Sequence, residues 1–333
     1  MKKVIYIGLA ILICLIQEAT AQEQFAISQY YQVHPIINPG FTGIDDFLDI
    51  KIGYRRKWAG LDNTPTTSFI SVFGSIGDKT AYNQSPIRIS NPNQIEFIKS
   101  QKAKVSYHGI GGYITKQEQG AFDQTNIMAN YAYHIPIKSK VRISLGTSFG
   151  LSNIKIDPNK ISVWDKVNDP IYQAYVNGDN NYMKFMVSLG GVLYGEKSYI
   201  GISYLPVIDF SFAGDSEDLS TDDKFVIMAG TKFAIGPFMK LIPSLLIEAN
   251  VTNKYRIVGS LLLDIKSFVK TGFTYSNAND LSFSVIFNYR NDYGLGYAYE
   301  TSLGNESTIG NGSHEVILSF NLFNHLNSAP RLW

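Results

Sequence analysis

From about residue 47 onward the chain alternates, at a period of two, between apolar side chains and small or polar ones, and sustained helical periodicity is absent. Only strands with two different faces give that pattern. Between Tyr182 and Tyr194, Met183, Phe185, Val187, Leu189, Gly191 and Leu193 fall on one face and Lys184, Ser188 and Gly190 on the other. Ile143, Leu145, Phe149 and Leu151 alternate likewise with Arg142, Ser144, Gly146, Ser148 and Ser152, and Leu281, Phe283, Val285, Phe287 and Tyr289 with Ser282, Ser284, Asn288 and Arg290.

Strand cores fall near 48–58, 66–76, 104–115, 123–135, 141–152, 182–194, 198–206, 225–234, 239–249, 254–263, 267–276, 281–290, 294–303 and 314–323. That is fourteen, an even number, and most are about 9–12 residues long, the length of a tilted strand crossing a hydrocarbon core. A water-soluble sandwich would alternate in the same way, so the connections have to discriminate. From the fourth strand on, every second one is tight: Pro136 to Lys140, Gly195 to Lys197, Gly236 to Phe238, Asp264 to Lys266, Asn291 to Tyr293. The intervening ones, above all 153–181 and the acidic 207–224 with Asp215, Glu217, Asp218, Asp222 and Asp223, are generally longer or more polar. Short periplasmic turns and longer outer loops are the habit of outer-membrane barrels. The stretch 77–103 breaks that rule on the periplasmic side and reads as an insertion, with a short helix a possibility. Tyr131, Tyr133, Tyr194, Tyr199, Tyr204, Tyr275, Tyr289, Tyr297 and Tyr299 near strand ends suit either interfacial girdles or ordinary strand packing.

The ends agree with export. Met1-Lys2-Lys3, the apolar run Val4 to Ile16 and Ala19-Thr20-Ala21 form a secretory signal cleaved before Gln22, and the run is shorter than the roughly 20 residues a spanning helix needs. Cys14 is the only cysteine; the bulky Leu12-Ile13 before it argues against lipidation, and a chain cleaved after Ala21 has no thiol for disulfides or metal sites. Removing Lys2, Lys3 and Glu18 with the signal leaves a formal charge of zero, so nothing attracts nucleic acid. Residues 22–47, with Pro35 and Pro39 and little alternation, form a candidate plug or periplasmic handle ahead of the barrel at 48–323, and 324–333 is a C-terminal tail.

Chemistry is sparse. The histidines at 34, 108, 134, 314 and 325 lack ligand spacing. Gly109-Ile110-Gly111-Gly112 sits in an alternating strand with no helix after it, so it reads as a glycine face inside a barrel and not as a phosphate loop. Asn177 to Asn181 lacks the ordered ligands of a calcium loop, and His314-Glu315 opens a strand with no evident third partner. Asp49, Lys51, Arg55 and Lys57 share one face of the first strand and would line the lumen, paired with each other or with a plug. No enzyme activity and no cofactor or metal is expected.

Ser28-Gln29-Tyr30-Tyr31, then Asn38-Pro39 through Gly43, then Arg55, Trp58 and Gly60, then Pro65 within Thr64-Pro65-Thr66-Thr67, resemble the opening signature of the PorP/SprF family: S-Q-Y, N-P-x-x-x-G, R-x-x-W-x-G and a P-x-T turn. Asn130 to Pro136 and the closing Gly312-Ser313-His314-Glu315 continue the resemblance along nearly the whole exported chain. It implies an all-β, transmembrane antiparallel β-barrel of about fourteen strands in the outer membrane, serving type IX secretion and gliding. The implied partners are outer-membrane lipid and either a large secreted adhesin's C-terminal domain or periplasmic secretion components. The motif residues are expected to hold the fold, with Asn38-Pro39 and Gly43 setting turns, Trp58 and Gly60 ending the first strand and Pro65 starting the second. A plugged channel for small solutes is the alternative reading.

Overall fold

A computed structural model of the chain describes residues 27–61, 63–76, 105–138, 141–161, 180–213, 223–250, 255–303, 311–325 and 328–330, with isolated positions in 91–93 and 163–176. The signal, most of 77–103 and 207–224's acidic residues 215–222 lie outside them. Fifteen strands follow one another: β1 (Leu48–Arg56), β2 (Thr66–Ile76), β3 (Tyr107–Gln119), β4 (Phe122–Lys138), β5 (Val141–Ile156), β6 (Asn181–Gly195), β7 (Ser198–Ala213) and β8 (Lys224–Thr231), then β9 (Phe233–Ala234), β10 (Met239–Asn250), β11 (Tyr255–Ile265), β12 (Val269–Ser276), β13 (Asp280–Tyr289), β14 (Tyr293–Ser302) and β15 (Ser313–Leu322). β8 and β9 are one stave interrupted at Lys232, since both pair with β10. The fourteen staves are antiparallel neighbours in chain order, and β1 pairs with β15 to close the ring. Closure leaves no unpaired edge, the condition for strands in lipid.

The pleat does the sorting that the alternation predicts. Leu145 is 60% exposed and Leu189 50%, while Ser144, Ser148 and Lys184 on the same strands are at most 5% exposed. The outer surface is an apolar band and the lumen is lined by small, polar and ionic side chains on β1, β5 and β15. On β8, β10 and β11 many inward residues are apolar too (Val226, Met228, Ile242, Leu246, Val258, Leu262), interrupted by Ser244, Ser260 and Asp264, so one side of the lumen is the greasier.

Both ends of the barrel chain and the short turns after β4, β6, β9, β11 and β13 share one rim, by habit the periplasmic one. Two of these turns, of three residues each, are tight enough to place consecutive residues, Lys266-Ser267 and Arg290-Asn291, at positive φ, the backbone that suits the twist of the strands they join. They sit one or two positions from where the sequence suggests.

Three expectations change. β3 to β7 run to 13–17 residues, not 9–12; in β3 and β4 polar segments such as Asp123 to Asn126 extend the ladder above the apolar band, while β7 continues through Val207 to Ala213, which the sequence reading places in a loop. The other rim is not uniformly long-looped: β3 turns into β4 through Gly120 and Ala121, and β12 into β13 through residues 277–279. Tyr194 and Tyr199, candidates for a girdle, are 2% and 5% exposed and point into the lumen; Tyr131, Tyr133, Tyr275, Tyr289, Tyr297 and Tyr299 face outward.

A charge on the outer band should therefore be costly. Leu145→Arg is expected to lower the unfolding free energy in phosphatidylcholine vesicles by about 2–4 kcal/mol if it sits at mid-bilayer. A urea titration that finds no loss would place β5's odd face in water.

Candidate functional site

Residues 27–47 lie inside the ring. The segment bonds to β4, β6, β7, β10, β13 and β15, which lie on all sides of the barrel, and every residue from Ile27 to Ile44 except Pro35 is buried. It is three short helical turns, Tyr30–Gln32, His34–Ile37 and Pro39–Phe41, too short to be stable alone and held by the wall.

At one end of the segment the closure seam supplies a buried ionic clasp. Arg55 stands directly opposite Glu315 across β1 and β15; its Nη1 is 3.9 Å from Glu315 Oε2 and its Nη2 is 2.5 Å from Glu300 Oε1 on β14. Both carboxylates also take donors from the segment. Ser28 N–H donates to Glu315 Oε2 at 2.7 Å, Gln29 N–H to Glu315 Oε1 at 3.0 Å, and Ser28 Oγ to Glu300 Oε2 at 2.6 Å. All three ionic side chains are at most 8% exposed. Lower on β1, Lys51 pairs with Asp49.

Nearer the periplasmic rim the wall is stripped of side chains to admit backbone. A Cβ on Gly109 would stand 1.9 Å from Thr42 O, one on Gly146 2.4 Å from Pro39 O, and one on Gly190 2.1 Å from Asn38 Oδ1. Gly201 and Gly296 face Asn38 and Gln29 in the same manner, at 2.9 and 2.5 Å. Asn38, fully buried, donates from Nδ2 to Ile202 O (3.0 Å) and accepts from Gly40 N–H (2.9 Å), capping the turn that follows it. Gly43 has φ +74° and abuts Gly109 and Gly74, so a side chain there would be both strained and blocked.

Between these regions, rings and hydroxyls join segment to wall. Thr42 O can only accept, so His134 Nε2, at 2.7 Å, carries the proton; Nδ1 then accepts from Tyr194 OH (2.7 Å), itself 2.9 Å from Tyr107 OH. Asn130 Nδ2 donates to Pro35 O at 2.8 Å. Tyr30 and Tyr31, each 1% exposed, meet Ser244 and Ser284 hydroxyls at 2.9 and 2.8 Å, and with Ile27 and Val33 they join the cluster on the greasy side. Burial holds both phenols above their usual range. His34 stacks on Phe41 and lies 2.9 Å from Tyr199 OH; burial, helped by the charges of Lys51 and Lys232, pushes it down to about 3.

The structure brings most of the sequence-predicted residues together. Gln29 and Tyr30, Arg55 and Glu315 meet at the clasp or beside it; Asn38, Pro39 and Gly43 meet the glycines. Trp58 (φ +51°) and Gly60 (φ +94°) lie in the loop beyond β1, where Ala59 N–H donates to Gly312 O at 2.8 Å and Lys57 N–H to Pro65 O at 2.9 Å. Ser313 points inward with Glu315, while His314 faces outward against Tyr297 and Tyr299, so His314 and Glu315 lie on opposite faces of the wall. Sequence reasoning missed Glu300, His134 and the partners of the inward glycines. Their only signal is the parity that puts Asn130, Ala132 and His134, or Gly146 and Ser148, on one face. Among the described residues no three acidic, histidine or cysteine side chains are placed to hold a metal.

The class is thus an outer-membrane β-barrel of fourteen antiparallel staves whose lumen holds its own N-terminal segment. The family model described as "Type IX secretion system membrane protein PorP/SprF" matches residues 19–320, and the chain belongs to that family. No curated protein matches it. Among solved structures it is similar to the Acinetobacter baumannii outer membrane protein Omp33 (6% identity, 84% of this chain and 100% of that one, TM-score 0.47). It is also similar to the P. putida toluene transporter TodX (8%, 86% and 92%, 0.43) and to the monoaromatic hydrocarbon channel CymD (8%, 87% and 92%, 0.45).

Two outcomes follow. Glu315→Ala leaves Arg55 short of one carboxylate and two segment N–H groups without acceptors, which should weaken seating by about 3–5 kcal/mol. The checks are faster protease cleavage within 27–47 and raised single-channel conductance; a variant as closed and resistant as the wild type would refute the clasp. Seating should also weaken in acid. Because His34 is held far below 6.5, only the withdrawn segment takes up a proton as pH falls from 6.5 towards 3, at about 1.4 kcal/mol per pH unit. Channel openings should become more frequent at pH 5 than at pH 7.5, and His34→Phe should flatten the change; an equal slope in that variant would assign the effect elsewhere.

Proposed function

We propose that this outer-membrane barrel is a docking or anchoring platform of the type IX secretion and gliding machinery, without catalytic activity of its own. Its partner is a large secreted surface adhesin, held through its C-terminal domain at the long-loop face, or the periplasmic secretion ring at the other. Family membership supports a role with secretion partners. The observation that carries the choice of platform over solute channel is the occupied lumen: a segment clasped by Arg55, Glu300 and Glu315 and seated against five inward glycines leaves bound protein, not flowing solute, as the use of the two mouths. In this reading residues 1–21 are removed on export, 22–47 is the plug, 48–323 the barrel and 324–333 a tail. The motif residues Gln29, Tyr30, Asn38, Pro39, Gly43, Arg55 and Glu315 hold plug to wall, Trp58, Gly60, Pro65 and Gly312 to His314 hold the loop beyond β1 and the strand end beside it, and none of them touches the partner.

The test is mild detergent extraction of outer membranes carrying a tagged full-length copy, then affinity purification and mass spectrometry. Recovery of a very large secreted adhesin or of ring proteins is expected, and which of them appears identifies the face in use. A barrel that emerges alone while other membrane complexes stay intact, and that passes small solutes in vesicles, would instead make it a channel. Deleting 22–47 behind the retained signal should give an assembled barrel of raised conductance.

A further inference from the structure

Above the inner segment, on the long-loop side, the lumen keeps a cup of about 130 Å³. Its floor is apolar: Ile36 and Ile37 of the segment, with Met128 and Met186 from the wall. Most of its wall is made of uncharged hydrogen-bonding groups at the tall end of the barrel, Gln117, Gln124, Asn126, Thr115 and Ser188, with one cation, Lys224, and one acid, Glu248, also lining it. The amides are partly engaged. Gln124 Nε2 donates to Asn126 Oδ1 and to Ser152 Oγ, each at 3.2 Å, and Asn126 Nδ2 donates to Thr115 Oγ1 at 3.0 Å. The Gln124 Oε1 acceptor and the whole Gln117 amide remain without a hydrogen bond among the described residues. Both charged lining residues are already engaged, Glu248 with Arg256 at 3.3 Å and Lys224 in an interaction of its own. The open valences are therefore those of amides, set over a greasy floor.

Size decides what such a cup accepts. A dry cavity of roughly 150 Å³ holds one benzene, whereas sites that engulf a free small molecule run from about 300 Å³ upward. A cup this small, open above, takes one side chain whose affinity is shared with a larger body, as the anchor pockets of protein interfaces do. We infer that the cup is the anchor pocket of the long-loop face: it receives one uncharged, branched-aliphatic or aromatic side chain of an extended peptide segment, whose backbone amide is read by Gln117 and Gln124. This rests on the platform reading and names the chemistry of that partner's contact. Because half the floor belongs to the inner segment, an occupied cup also opposes withdrawal of that segment.

The experiment uses the full chain purified in detergent, with N-acetyl-leucine methylamide as the probe and N-acetyl-lysine methylamide and 4-methylpentane-1-ol as comparisons, followed by saturation-transfer NMR. Saturable millimolar binding of the leucine probe is expected, with the lysine probe and the alcohol weaker. Gln117→Ala, which breaks no bond in the protein, should weaken the leucine probe about five-fold, the worth of one hydrogen bond, and Ser188→Leu, which fills the cup, should abolish its binding. Heat-modifiable migration establishes that both variants are folded. No binding to the wild type, equal binding to both variants, or a preference for the lysine probe or the free alcohol would overturn the pocket. Partner recovery from cells separates the two ideas: the adhesin co-purifying undiminished with both variants defeats the pocket alone, while a wild-type barrel that binds the leucine probe but co-purifies with nothing defeats the platform and leaves the pocket standing.

Discussion

The seam where β1 meets β15 is the interaction on which the other features depend. Without it the sheet has two open edges, which lipid does not tolerate. With it the register is fixed from Leu48↔Leu322 to Arg56↔His314, and that register sets Arg55 opposite Glu315 and both beside Glu300. The charges are then where the first described turn of the inner segment arrives. Closure and plugging are in this sense one event: slipping the seam by one residue would turn either Arg55 or Glu315 outward, the first taking the cation from the clasp and the second leaving Ser28 and Gln29 N–H without acceptors.

The wall around that seam is built in two heights. β1, β2 and β11 to β15 span 8–11 residues, whereas β3 to β7 reach 13–17. The tall side rises past the inner segment and forms the amide-lined cup, while the short side ends close to the clasp. The greasy lumen face on β8, β10 and β11 completes the division, so the segment is wedged between an apolar surface that takes Tyr30, Tyr31 and Val33 and a glycine surface that takes Asn38 to Gly43.

How much of this can be read from sequence follows from the range of each signal. Period two is local, so the staves, their faces and the lumen position of Asp49, Lys51 and Arg55 are legible from residues within ten of one another. The charged clasp is half legible: Arg55 and Glu315 stand in motifs, but Glu300 sits in Tyr299-Glu300-Thr301 with nothing to mark it until the register is known. The glycines are the hardest. Gly146 and Gly190 look like any small residue on a polar face, because what excludes a side chain there is Asn38-Pro39, more than a hundred residues away in the chain. Tyr194 and Tyr199 are misplaced for a related reason: a tyrosine at a strand end suits a lipid interface by composition, and only parity, counted through Val192 and Gly201, turns it inward. The tops of β3 and β4 are missed because alternation fades where both faces leave the bilayer and become polar.

The forces seating the segment have different tasks. Burying Tyr30, Tyr31, Val33 and Phe41 contributes on the order of 2 kcal/mol each, and this supplies most of the drive to enter the lumen. The clasp adds little net free energy, since desolvating Arg55, Glu300 and Glu315 offsets most of what their attraction returns. Its role is positional: apolar contacts tolerate sliding, but two N–H groups on one carboxylate do not, and a shift by one residue strands buried donors at about 1–3 kcal/mol apiece. The glycine wall acts in the same direction through sterics, since it fits only the Asn38 to Gly43 backbone. A segment driven in by grease and indexed by charge is firmly placed yet needs only a few local losses, one carboxylate removed or one histidine charged, to come free. That combination suits a platform whose outer cup and inner segment share a floor, because a partner seated in the cup then weighs on the same balance that holds the lumen shut.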